Sequence, residues 1–325
     1  MRSAPATPPP LGSDPVLDKA RKMAEALARA SGGSVEGVFL YGSHLLGANP
    51  DKNSALDFVV VVTDYPSFYR SLRAAGELHR SVRVMTCLAA VLPPNVIAFT
   101  PSEGSEGIAK CLVVTRAHLL AALGTRPKDH FLLGRLIQKV ALVWVAGDAA
   151  VTALEEAVAG ARRRILSWIG PYLREPFDAE GVGRRILEVC YGGELRPEAR
   201  DRSSTVFEAQ REHFRSYLEP LLEDGARDGR LVQVPGGYRF AERPPSSELR
   251  RWERHFLRSK ARATARWLKH VVTFDNWLPY VHRKAERRLG TTIVLTPLER
   301  RWPLVFLWPR VVRVLFSRPD REGAP

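Results

Sequence analysis

Residues 38–63 read V-F-L-Y-G-S-H-L-L-G-A-N-P-D-K-N-S-A-L-D-F-V-V-V-V-T, and the fold turns on this stretch. Two short apolar runs, Val38–Tyr41 and Leu56–Val62, are rich in β-branched and aromatic residues and are bounded by turn formers. They predict two buried strands. Gly42-Ser43 opens a turn between them, and Asp57 is a lone carboxylate inside the second apolar run. A buried charge is costly unless something pairs with it, and a metal ion is the usual partner of such an acid. A tight glycine turn presents backbone N–H groups that suit phosphate oxygens. The plain alternatives are an ordinary strand-to-helix turn and an Asp that caps a neighbouring loop.

The chain has 325 residues, enough for two modest domains with their own cores. Its hydrophobic fraction of 45% and charged fraction of 26% belong to a globular protein and exclude a disordered one. Cys87, Cys111 and Cys190 lie far apart, which argues against a zinc site or a disulfide framework and for a reducing compartment. No run is long and apolar enough for a membrane-spanning helix, and the first residues lack the apolar core of a secretory signal. A net charge of +14, mostly arginine, favours polyanions: nucleic acid, anionic lipid headgroups or a triphosphate. Charge alone does not choose among them.

Residues 1–13, rich in Pro and Ala, read as a disordered tail. Asp14-Pro15 then caps a helix to about Ala30, with Leu17, Ala20, Met23, Ala24 and Leu27 on one face. A helix from Pro66 to about His79, strands at 82–88, 95–100 and 108–114, a short helix after Thr115 and a helix-to-strand change near Lys139 complete an α/β unit with a mixed sheet over 14–146. Residues 147–272 turn helical, at 149–169, 179–191, 203–222 and 246–272. The run Leu231–Phe240 reads as a hairpin across Pro235-Gly236-Gly237. Several helices with one hairpin suggest a winged-helix-like arrangement, either a nucleic-acid reader or a lid on the sheet. The helix 246–272 carries Arg250, Arg251, Arg254, Arg258, Lys260, Arg262, Arg266 and Lys269, expected to be a solvated face.

The last region, 273–325, is basic and amphipathic. Leu304, Val305, Leu307, Trp308, Val311, Val312 and Leu315 would share one helical face, with Arg310 and Arg313 opposite and Trp302 nearby. That combination is expected to lie in the headgroup plane of an anionic membrane. The alternative is a terminal helix docked on the protein's own core, and Pro303 and Pro309 interrupt a regular helix.

The strand, Gly-Ser turn and strand carboxylate together resemble the polymerase-β-like nucleotidyltransferases. A set of further segments is similar to one family, the Tam-type phosphatidate cytidylyltransferases (mitochondrial CDP-diacylglycerol synthases and their bacterial relatives). Its carriers are Tyr41-Gly42-Ser43, Leu56-Asp57-Phe58, His79-Arg80-Ser81, the Lys110 strand Ala109–Val114, Gly134-Arg135-Leu136, Tyr191-Gly192-Gly193-Glu194-Leu195-Arg196 and His213-Phe214-Arg215. They run in the family's order across about residues 35–220. Departures are His44 in place of the second glycine of Y-G-S-G, and Thr63–Tyr69, which keeps only Asp64 of the family's D-D-P stretch.

The resemblance implies an α+β fold: a polymerase-β-like nucleotidyltransferase domain, a helical winged-helix-like domain and the C-terminal amphipathic segment. It implies Mg²⁺-dependent attack of phosphatidate on CTP, giving CDP-diacylglycerol and pyrophosphate. The protein would work peripherally at the cytoplasmic face of a bacterial membrane, with no specific nucleic-acid partner; the sequence sets no oligomeric state. The bacterial assignment leans on the N-terminus, where no Arg-rich amphipathic transit peptide is evident. Asp57 is the first choice for a metal ligand, with Asp64 or Glu194 to complete the shell; Asp64 equally suits a helix cap. Gly42 and Ser43 would hold triphosphate, with Ser43 and Lys110 in the catalytic group and His79 and Arg196 binding nucleotide. Lys110 could instead be an edge-strand charge facing water, His79 a helix C-cap, Arg196 and Arg135 solvated surface groups, and Lys52 a solvated loop residue. Two rival functions stay open: a nucleotidyltransferase acting on RNA or another acceptor, and a catalytically degenerate binding module.

Overall fold

The computed structural model describes residues 14–47, 55–101, 107–192, 202–242 and 245–274, with 296 and 298. Helix α1 (Pro15–Ala30) starts where Asp14 accepts the Val16 N–H at 2.9 Å, and it buries Ala20, Met23, Ala24 and Leu27. Strand β1 (Val35–Tyr41), the four-residue helix α2 (Ser43–Leu46) and strand β2 (Leu56–Val62) follow. Helices α3 (Tyr65–Ala74) and α4 (Val82–Val91) lead into β3 (Asn95–Phe99), β4 (Ala109–Thr115) and α5 (Arg116–Leu123). A single turn, α6 (Leu133–Leu136), and β5 (Ala141–Val145) complete the sheet.

The strands lie in the order β3-β4-β2-β1-β5, with β2 and β4 parallel and every other pair antiparallel. The class is α+β with a mixed sheet, as the sequence leads one to expect. Both faces are covered, which is why β2 reads Phe58–Val62 as an unbroken apolar run. Leu40, Phe58, Val60 and Val113 pack against α1, α3 and α4. Phe39, Val59, Val61, Leu112 and Val114 join a second core that continues into α5, α6 and the helices after residue 147.

Those later helices are α7 (Asp148–Arg163), α8 (Ile165–Ile169), α9 (Ala179–Gly192), α10 (Arg202–Glu208), α11 (Arg211–Arg227) and α12 (Ser246–Thr273). Between α11 and α12 sits the expected hairpin, β6 (Leu231–Val234) with β7 (Gly237–Phe240). It does not stand free. Phe177 and Tyr238 exchange two backbone hydrogen bonds, at 2.9 and 2.8 Å. The approach is so close that a Cβ on Gly237 would lie 2.4 Å from the Phe177 carbonyl oxygen.

Two expectations need correcting. Residues 82–88 form the first part of α4, not a strand. Val82, Val84 and Thr86 suggest a period of two, but the buried positions are Met85 and Ala89, one helical turn apart, while Val84 and Val91 face water. The second correction concerns the basic helix. On α12, Arg266 and Lys269 are buried. Asp129, itself 7% exposed, accepts from Arg262 Nε at 2.7 Å and Arg266 Nη2 at 2.6 Å. Arg266 Nε also donates to Pro93 O at 2.8 Å, and Lys269 Nζ donates to the carbonyls of Leu92 and Pro94. Burial pushes the Asp129 carboxyl up, but the two guanidinium groups outweigh it and hold the group below the usual carboxylate range. This network, with Ser259 Oγ accepting the His130 N–H at 3.0 Å, clamps α12 over the sheet's second face.

The C-terminal segment expected to meet membrane lies outside the described residues, apart from 296 and 298. Among the described residues no helix is long and apolar enough to cross a membrane.

The clamp has a pH signature. His130 is 3% exposed and packs against His255 and Trp168. Burial, then the neighbouring His255, push its pKa down to about 4. The folded state therefore keeps this ring neutral while the unfolded chain takes up its proton below about pH 6.5. Its contribution is complete above that point and fades as pH falls toward 4, by roughly 3 kcal/mol. Urea unfolding followed by circular dichroism should show midpoints falling through this window, with a shallower fall for His130→Phe. A flat profile would contradict the assignment.

Candidate active site

The strand registers bring four residues abreast. Tyr41 pairs with Asp57, Asp57 with Lys110, and Lys110 with Ala98, across β1, β2, β4 and β3. Because side chains alternate along a strand, Asp57 shares its face with Val59 and Val61, and Lys110 shares its face with Leu112 and Val114. The row therefore sits at the open end of the face that carries the helical half of the molecule. Asp57 and Lys110 each keep 29% of their side-chain area exposed, so the acid is half-buried at the mouth of an apolar strand.

Lys110 Nζ stands 4.0 Å from Asp57 Oδ1. That is an ion pair without a hydrogen bond, and among the described residues it is the only ionic contact of Asp57. The edge-strand reading of Lys110 is overturned, since β4 lies between β3 and β2. Gly42 completes the arrangement. Its φ is +87°, and a Cβ there would meet Asp57 Oδ2 at 2.9 Å. Only glycine lets the turn close over the carboxylate, and Ser43 then begins α2, whose Leu45 and Leu46 N–H groups donate to Gly42 O.

The other expected site residues separate. Asp64 caps α3, accepting the Ser67 N–H at 2.8 Å. It sits beyond the far end of β2, roughly 20 Å from Asp57 by strand rise, so the two acids cannot share one ion. His79 is exposed in the loop between α3 and α4, and both helices pack on the opposite face of the sheet. Arg135 is held locally: its Nη1 donates to Phe131 O at 2.6 Å and its guanidinium lies 3.8 Å over the Phe131 ring. His213 is lodged among Arg162, Lys139 and Tyr217, and burial first, then Arg162, push its pKa down to about 4. Arg196, Glu194 and Lys52 lie outside the described residues.

One carboxylate is a thin donor set for Mg²⁺, and no group of three His, Cys, Asp or Glu side chains among the described residues could hold a metal ion. Asp57 nonetheless fits the way this ion is commonly bound, through one or two carboxylates with substrate phosphates filling the remaining positions. Both of its oxygens lie beyond hydrogen-bond distance of Lys110. The site suits an ion that arrives with a polyphosphate rather than a preformed metal centre.

A residue the sequence reading passed over is His270, near the end of α12. Its Nε2 is buried without a hydrogen-bond partner. Burial and then the charge of Lys110 push its pKa down to about 3. The signal was faint: Ser259, Ala263, Arg266 and His270 fall on one helical face, but the many arginines of α12 mask that stripe. Two surface depressions, one around Lys139 and His213 and one around Asp178 and Tyr238, include none of the row residues.

No family model matches the chain, and no curated protein matches it. Among solved structures it is similar to a spectinomycin adenyltransferase from Enterococcus faecialis, determined with ATP and spectinomycin. The identity is 14% over 75% of this chain and 98% of that one, with a TM-score of 0.24. A superposition that loose carries no argument about function, and the resemblance to phosphatidate cytidylyltransferases draws no support from these comparisons. The functional reading rests on the row itself.

Gly42→Ala isolates that row. The added methyl must displace the Asp57 carboxylate and occupy a left-handed backbone position, at a cost of about 1–2 kcal/mol in stability. Isothermal titration with Mg²⁺ and CTP should show binding lost while the circular dichroism of the sheet is kept. Unaltered nucleotide binding would remove Gly42 from the site.

Proposed function

We propose that the chain is a nucleotidyltransferase and, within that class, a CTP:phosphatidate cytidylyltransferase. The observation that carries the class is the closure of the Gly42 turn over Asp57, with Lys110 in register beside it: an anion-receiving turn, an acid and a cation at one strand mouth. The acceptor is supported by the ordered set of short motifs between residues 35 and 220, and by the basic amphipathic composition of 273–325, which suits a peripheral protein at the cytoplasmic face of a bacterial membrane.

In the reaction, a phosphate oxygen of phosphatidate forms a bond to the α-phosphorus of CTP while the α–β bridging bond breaks and pyrophosphate leaves. A phosphate monoester is already anionic near neutral pH, so the residues need not supply a strong base. Their task is to align two anions. The Gly42–Ser43 turn receives triphosphate oxygens through backbone N–H groups, and Lys110 offsets negative charge on the same side. Asp57 would hold Mg²⁺, which when bound neutralises the triphosphate and stabilises the departing pyrophosphate. The remaining sequence candidates enter this reading only at the margin: His79 faces away, and Arg196 stays a proposal from the motif alone.

A second reading has its own observation. A single carboxylate paired with a lysine also suits a nucleotide-binding module that has given up transfer. Labelled CTP incubated with Mg²⁺ and vesicles containing phosphatidate separates the two. The account expects labelled lipid, with Asp57→Asn lowering the rate roughly a hundredfold or more. Labelling of added RNA instead would replace the acceptor, CTP binding without transfer would establish the binding module, and full activity in Asp57→Asn would sink the class.

A further inference from the structure

Helix α12 is turned inside out over its second half. Its inner face there is polar: Ser259, Arg266, Lys269 and Thr273 are all buried. Ser259 accepts the His130 N–H, Arg266 donates to Asp129 and to the Pro93 carbonyl, and Lys269 donates to the carbonyls of Leu92 and Pro94. The outer face is apolar. Leu257, Ala261, Ala265, Leu268 and Val272 recur at helical spacing and are all exposed, the three large ones by 66%, 51% and 41%. They form one stripe about 22 Å long by helix rise. Single exposed apolar side chains are ordinary on a protein surface. An aligned row of them, opposite a polar inner face, reverses the usual arrangement of a helix in water.

The charge beside the stripe says what covers it. From Arg254 to Phe274 the chain holds six Lys or Arg and no acid. By helical rotation Arg258 and Lys260 flank the stripe on either side; both are exposed, and neither meets an acid among the described residues. A second copy laid on this face would bring those like charges together with nothing to offset them. An anionic bilayer surface meets both demands at once. Its acyl boundary takes the apolar stripe, and its headgroups take the flanking cations on their long stems. We propose that the outer face of α12 is an interfacial membrane-docking surface, with Leu257, Leu268 and Val272 entering the acyl boundary and Arg258 and Lys260 meeting anionic headgroups. The inference rests on the peripheral-membrane part of the proposed function, to which it adds a face within the described structure, and it is independent of the chemistry at Asp57. The buried bonds of Arg266 and Lys269 hold the helix to the protein while its other side is in lipid.

The test is flotation of the full chain with vesicles of equal parts phosphatidylcholine and phosphatidylglycerol. Phosphatidylglycerol supplies the charge so that phosphatidate binding at the Asp57 row does not contribute. The wild type should float with these vesicles and far less with pure phosphatidylcholine. Leu257→Glu combined with Leu268→Glu should weaken binding at least about tenfold. Arg258→Gln combined with Lys260→Gln should weaken it by a similar factor and flatten its salt dependence. Leu120→Glu, at a 46% exposed leucine of α5, should float like the wild type and controls for the added charge. If both double variants float unchanged, the face is wrong and the peripheral reading stands on other residues. If the wild type floats with neither vesicle, both fall. Equal binding to the two vesicles removes the anionic surface and overturns the proposal. So does light scattering that shows a wild-type dimer made monomeric by the leucine changes, which gives the face to a second copy. Circular dichroism checks folding, and the charge variant decides the matter if the leucine variant does not fold.

Discussion

Tyr41, Asp57, Lys110 and Ala98 stand abreast because β1, β2, β4 and β3 pair at one register, and a slip of a single residue in β2 would turn Asp57 into the packed face beneath α1 and α3. That face is lined by Leu40, Phe58, Val60 and Val113, where an unpaired carboxylate has no partner. The alternation of the strand thus fixes both the core and the position of the one acid at its mouth. Gly42 adds a second constraint. The chain can leave β1 and turn over the carboxylate only where no Cβ intrudes, so the turn and the acid are fitted to each other.

The helical half is tied to this face by charge as well as by apolar contact. Asp129 reaches Arg262 and Arg266 from a segment between α5 and α6, and the same arginine bonds the carbonyl of Pro93. Such a buried pair adds little net stability over an apolar substitute, but losing one partner strands the other. Its effect is one of placement. It seats α12 against the chain just before β3, where Arg266 and Lys269 bond the carbonyls of Leu92, Pro93 and Pro94. The row on the sheet and the roof above it therefore depend on separate interactions, one of strand register and one of buried ion pairing.

Much of this was legible in the sequence where a single pattern dominated. The bounds of β2 follow from an unbroken apolar run, α1 from the Asp14-Pro15 cap, and the hairpin from Pro235-Gly236-Gly237. Where two patterns competed, the reading failed. The β-branched residues of 82–86 outvoted the four-residue spacing of Met85 and Ala89. Asp64 lies seven positions after Asp57, close in sequence, yet a strand's rise puts them at opposite ends of the sheet. Arginines 262 and 266 look like their solvated neighbours 250, 251 and 254, because their burial depends on Asp129, 133 and 137 positions away. Local pattern carries no trace of a partner at that separation, and His270 was hidden for the same reason.

The central claim is that the Gly42 turn and Asp57 form one nucleotide site. A crystal structure grown with CTP and Mn²⁺, with the metal located by anomalous scattering, tests it most directly. The account predicts a metal peak on the Asp57 carboxylate and triphosphate density over Gly42 and Ser43, on the face shared with Lys110. A nucleotide bound elsewhere, with Asp57 making no contact to metal or phosphate, would contradict it.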